Sequence, residues 1–161
     1  MKNIKFNVDN TTIKIIQLEK LKVFDNDKKV YAFLIEIESE KENIHFIFYE
    51  SINFTDEIDI KKRKGIYGLN KKEIKDLIYS VLCCINMDYY SDVDSLNDFI
   101  NEYGYEYNKN TEMLYNRVLE QKNKLHKVFT EKQIKYFDEN NNILKDFIDN
   151  LKYEKYNKDL I

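Results

Sequence analysis

The chain has no proline and no tryptophan, only three glycines and two cysteines in 161 residues, and a single alanine, Ala32. So little glycine, proline and cysteine excludes collagen-like, mucin-like and disulfide-stapled classes. Charge of one sign is also missing: 26 basic residues stand against 29 acidic ones, a net of -3. Such a balance creates no general field for nucleic acid or an anionic membrane, so any contact of that kind must be local. The longest uncharged apolar run, Leu77 to Met87, is eleven residues, against about 20 for a bilayer-crossing helix. Met1-Lys2-Asn3-Ile4-Lys5-Phe6 alternates charged or polar with apolar groups and builds no signal-peptide core. These features suit a cytosolic protein.

What is present suits a folded domain. The chain is 43% hydrophobic and 14% aromatic, which with the small net charge argues against disorder. The length fits one domain, strand-rich over 1–54 and helical over 70–152, with 153–161 expected to fray. Lys, Asn, Ile and Tyr make up nearly half of it. That bias points to A+T-rich codon usage and lowers the weight of any individual Lys or Asn.

The first fifty residues carry a period of two. Tyr31, Phe33, Ile35 and Ile37 alternate with Ala32, Leu34, Glu36 and Glu38, the pattern of a half-buried strand. Ile44 to Tyr49 repeats it, and the short polar link Ser39 to Asn43 predicts an antiparallel hairpin. Thr12 to Ile16 and Leu21 to Phe24 are further strand candidates. The period then lengthens. Ile74, Leu77, Ile78, Val81, Leu82 and Ile85 follow helical spacing behind Asn70, whose partner Glu73 completes a capping box. Ser95 caps a short helix with Leu96, Phe99, Ile100 and Tyr103 on one face, closed by Gly104. A third helix is expected over 111–128, turning Leu114, Val118, Leu125 and Phe129 inward. Thr130 starts a fourth along Ile134, Phe137, Leu144, Ile148 and Leu151, interrupted at Asn140-Asn141-Asn142. Strands before helices predict an α+β fold: an N-terminal three- or four-stranded antiparallel sheet with C-terminal helices packed on one face.

Chemistry-bearing residues are sparse. There are two histidines, His45 and His126, with no nucleophile signature beside either. Cys83 and Cys84 are neighbours on a helix, where their side chains diverge by about 100 degrees, so they read as reduced, small apolar fillers. Asp88, Asp92, Asp94 and Asp98 form an acidic cluster, but Leu96 and Asn97 stand where a calcium loop needs a ligand and glycine. Gly65-Ile66-Tyr67-Gly68 lacks the Lys-Ser/Thr ending of a phosphate loop. No metal or cofactor is implied. The most informative polar feature is Lys61, Lys62, Arg63 and Lys64, followed by Tyr67, Lys71, Lys72 and Lys75. Seven basic residues face one acid, Glu73, between positions 61 and 75. Positive charge beside a tyrosine can hold a phosphate backbone and stack a base.

One stretch carries a family pattern. Leu77-Ile78-Tyr79-Ser80-Val81-Leu82-Cys83, Leu96-Asn97-Asp98-Phe99 with Glu102-Tyr103-Gly104-Tyr105-Glu106, and Leu125-His126-Lys127-Val128-Phe129-Thr130 succeed one another in the order seen in a group of small proteins of tailed bacteriophages and prophages. Residues 79–137 resemble that group, with Leu96 where an aromatic is usual and Asn108-Lys109-Asn110 in place of acidic and serine positions. The resemblance implies a phage accessory protein acting in the host bacterial cytoplasm against host defence, as anti-CRISPR inhibitors do. The expected activity is therefore non-enzymatic binding to a host protein or nucleoprotein complex. Its candidate contacts are Tyr67, Tyr89, Tyr90, Tyr105 and Tyr107 with Lys61, Lys62, Arg63, Lys64, Lys71, Lys72, Asp92 and Asp94. The alternative is a small nucleic-acid-binding protein using residues 61–75. An enzyme assembled from scattered Asp, Glu and Tyr stands as a third reading.

Overall fold

Alternation along the strands decides which face of the sheet is buried. The computed structural model describes residues 3–17, 22–23, 29–50, 70–91, 95–138 and 142–156. Its strands are β1 (Asn3–Val8), β2 (Thr11–Gln17), β3 (Lys22–Val23), β4 (Lys29–Glu38), β5 (Asn43–Glu50) and β6 (Tyr153–Tyr156), all antiparallel. They lie in the order β5, β4, β2, β1, β6, with β3 paired to the first two residues of β4. The register sets Ile4 beside Ile15, Ile15 beside Ile35 and Ile35 beside Phe46. The next row is Phe6, Ile13, Ile37 and Ile44. On the opposite face Lys5, Lys14, Glu36 and His45 lie in register. One face is therefore apolar and the other largely polar, as in an antiparallel sheet covered on one side.

The helices are α1 (Lys71–Tyr89), α2 (Leu96–Tyr103), α3 (Lys109–Val128), α4 (Glu131–Lys135) and α5 (Asn142–Asp149). Each of the first four begins where a side chain satisfies free backbone N–H groups. Asn70 with Glu73, and Thr130 with Gln133, form capping boxes, while Ser95 and Asn108 accept from the N–H groups of Asp98 and Thr111. Gly104 ends α2 at φ 70°, a left-handed conformation that lets its N–H bond the Ile100 carbonyl.

Helix stripes close the core over the sheet. Ile74, Leu77, Ile78, Val81, Leu82 and Ile85 of α1 join Leu125, Phe129, Ile134, Phe137, Leu144 and Ile148 in one buried cluster with the sheet's apolar face. Full burial of each such side chain is worth about 1.5–3 kcal/mol. Phe129 and Phe137 meet edge to face, ring centroids 5.6 Å apart. Polar links fix the layers: Asn86 Nδ2 donates to the Ile134 carbonyl at 3.1 Å, and Gln133 Nε2 to Asp9 Oδ2 at 2.6 Å.

The structure amends three expectations. Among the described residues the sheet has six strands, because β1 and β6 join those legible from hydropathy. Residues 153–156, expected to fray, are β6: Tyr153 pairs with Phe6 and packs on the core. Leu114, expected to point inward, is 37% exposed, because the N-terminal half of α3 runs beyond the core, and only Thr111 and Leu125 are buried along that helix. Residues 157–161 lie outside those described.

Candidate functional site

The last turn of α1 contains no basic residue, so its free carbonyls need donors from elsewhere. Ser91 Oγ donates to the Asp88 carbonyl at 2.8 Å, and Lys122 of α3 donates to the Ser91 carbonyl. His126 Nε2 lies 3.0 Å from the Tyr89 carbonyl oxygen. A carbonyl only accepts, so Nε2 carries the hydrogen. The imidazole also stacks on the Tyr89 ring, centroids 3.8 Å apart. His126, which stands in the last turn of its own helix, thus also caps α1. Beneath it, Asp88 Oδ2 accepts from Gln121 Nε2 at 2.9 Å and from Cys84 Sγ at 3.8 Å. Burial raises the Asp88 carboxyl above its ordinary range, against the lowering effect of those two hydrogen bonds. Burial, then the neighbouring Asp88, pushes the Cys84 thiol up to about 12. A thiol so poised is a packing group and not a nucleophile. This seam clamps α3 to the end of α1.

Beyond the clamp stands a second aromatic group, apart from the main core. Buried Phe99 of α2 contacts Tyr103 at 5.0 Å and both Tyr105 and Tyr115 at 5.6 Å, measured between ring centroids. The outer rings remain largely open: Tyr103 is 49%, Tyr105 45% and Tyr107 73% exposed. Asp98, Glu102, Glu106 and Glu112 are exposed on the same α2 to α3 hairpin. Partial burial, then the carboxylates of Glu102 and Asp88, raises the Tyr103 phenol. Tyr90, 50% exposed, meets Tyr89 edge to face and has its phenol raised by burial, then by Glu131. The surface thus combines tyrosine rings with carboxylates, groups that suit aromatic packing and cation recognition.

Sequence candidates fall into three groups. Tyr105 and Tyr107 are exposed on this hairpin together with Tyr103, and Tyr90 is exposed at the end of α1. Tyr89 is corrected: it is only 6% exposed and belongs to the core, so it cannot anchor a partner. Its position, four residues after Ile85 and seven after Leu82, continues the buried stripe of α1. Lys61, Lys62, Arg63, Lys64, Tyr67, Asp92 and Asp94 lie outside the described residues.

Lys71 and Lys72 open a different site. With Lys75, Asp76 and Tyr79 of α1 they line a groove of about 560 Å³, closed by Lys145, Ile148 and Asp149 of α5. Hydropathy spacing could place α5 but could not reveal Lys145, because its neighbourhood is set by packing across the core. A wider groove of about 650 Å³ runs between β1, β6 and α5. There Lys5 and Lys152 alternate with Asp146 and Glu154 around Tyr136 and Phe147, so charge of neither sign accumulates.

Among the described residues, no group of three or more His, Cys, Asp or Glu is placed to hold a metal ion. No described helix is long and apolar enough to cross a membrane. No protein-family model matches the chain, and neither a curated protein nor a solved structure matches it.

Proposed function

We propose that this is a non-enzymatic, phage-encoded inhibitor that occupies a surface of a host protein or nucleoprotein defence complex in the bacterial cytoplasm, as anti-CRISPR proteins do. The observation that carries the reading is the α2 to α3 hairpin, where Tyr103 and Tyr105 are displayed around buried Phe99, with exposed Tyr107 two residues on, outside the main core. Folding the central core does not require those rings outside it, whereas tyrosines on a supported surface are favoured anchors in recognition. The phage-like pattern over 79–137 supplies the host context.

The test is phage plating on a host whose CRISPR interference restricts that phage, with and without the protein. Wild type should restore plating. The triple variant Tyr103→Ser, Tyr105→Ser, Tyr107→Ser should lose that effect while its far-UV circular dichroism is unchanged. Loss of one hot-spot anchor corresponds to about 2 kcal/mol or more, roughly a 30-fold weakening. Interference unaffected by wild type, or equally inhibited by the triple variant, rejects the reading.

A further inference from the structure

We infer that the groove between α1 and α5 binds a single strand of nucleic acid, with phosphates held by Lys71, Lys72 and Lys145 and a base laid against Tyr79. This site is separate from the tyrosine hairpin and does not depend on the role proposed for it. Four lysines and two aspartates line the groove. One pair is already committed: Lys75 Nζ lies 3.7 Å from Asp149 Oδ1 and donates to the Asp149 carbonyl at 3.4 Å. Lys71, Lys72 and Lys145 then stand against Asp76 alone, and none of the three lysines makes an ion pair among the described residues. Among the described residues the groove has an excess of two positive charges, contributed from two helices.

Its shape narrows the choice of polyanion. Lys71, Lys75 and Tyr79 recur every four residues, so they form one stripe along α1. Tyr79 packs against the core and is half-buried, and Ile148 is buried beside it. Together they give a firm apolar wall below the cations. An unpaired base can stack on such a wall while its phosphates remain with the lysines. Duplex DNA presents a convex backbone and keeps its base faces covered, so it cannot use Tyr79. A volume of about 560 Å³ lies in the usual range for ligand-binding clefts.

Fluorescence anisotropy on the intact chain tests this, using labelled fifteen-residue oligo-dT and oligo-U and a duplex of equal length across a salt series. Wild type should bind at least one of the single strands more tightly than the duplex. Log affinity should fall with log salt at a slope of about -2, from roughly 0.7 per phosphate contact. Lys145→Ser should weaken binding and make that slope shallower by about 0.7. Tyr79→Leu should weaken binding roughly fivefold or more with the slope unchanged. Thermal melting of each variant verifies folding. Absence of binding to both single strands at low salt overturns the inference. So does equal affinity for duplex, or a Lys145→Ser variant with wild-type affinity and slope.

Discussion

Asp88 shows how one residue can couple packing to pH. Its carboxyl is raised from the ordinary 3.8 by burial, so the folded state holds its proton more tightly than the unfolded chain does. The corresponding stability is fully present below about pH 3.8 and is lost as pH rises through the folded value. Asp88→Asn keeps an acceptor for Gln121 Nε2 and removes the charge. It should therefore raise the urea midpoint at pH 7 relative to wild type and leave little difference at pH 3.5. Equal differences at both pH values would show that the charge is not what destabilises the site. Tyr89 and Tyr90 illustrate what can be read at this scale. Helical spacing from Leu82 and Ile85 is enough to place Tyr89 inside and Tyr90 outside, so the distinction was available from sequence. The contact of His126 with the Tyr89 carbonyl was not, because it joins residues whose meeting depends on how α1 and α3 cross.

Among the elements, α1 carries its charges against its own dipole. Lys71 and Lys72 occupy the first turn and Asp88 the last, where opposite signs are favoured by about 0.3–1 kcal/mol each. Lys71→Glu with Lys72→Glu should raise the melting temperature by a few degrees and abolish single-strand binding in the same protein. A lower melting temperature would show that the lysines stabilise the helix through contacts stronger than the dipole. The second instructive element is α3. Its length was nearly legible, and of the residues expected inward Leu125 is buried and Val118 half-buried, while Leu114 is exposed. Periodicity identifies a stripe but not whether another layer lies opposite it. Amide exchange should accordingly be faster over 110–118 than over 121–128, where Leu125 is buried and His126 and Lys122 clamp α1. Uniform protection along α3 would refute this gradient.

For the molecule as a whole, sequence order and spatial order part company at the last strand. The strands-then-helices reading recovers the α+β class and the one-sided core, because those follow from local periods. It misses that β1 sits between β2 and β6, so the helices are bracketed by two paired strands. Tyr153-Glu154-Lys155-Tyr156 is too short for alternation to announce it, and its strand state exists only through pairing with Asn3 to Phe6. Truncation after Lys152 removes that pairing and the packing of Tyr153. It should lower unfolding free energy by about 2 kcal/mol or more, read as a reduced urea midpoint. An unchanged midpoint would mean that β6 adds no stability.

The opposed ends of α1 also bear on how the protein travels before it touches anything. Its 19 residues run about 28 Å from the lysine groove at its start to the turn that leads into the tyrosine and carboxylate hairpin, while the whole chain is only three charges from neutrality. Such a body is drawn weakly by a distant polyanion but is turned strongly by the gradient around it, lysines leading and carboxylates trailing. Encounters would then begin already oriented, and adding salt would erode that alignment as well as the attraction.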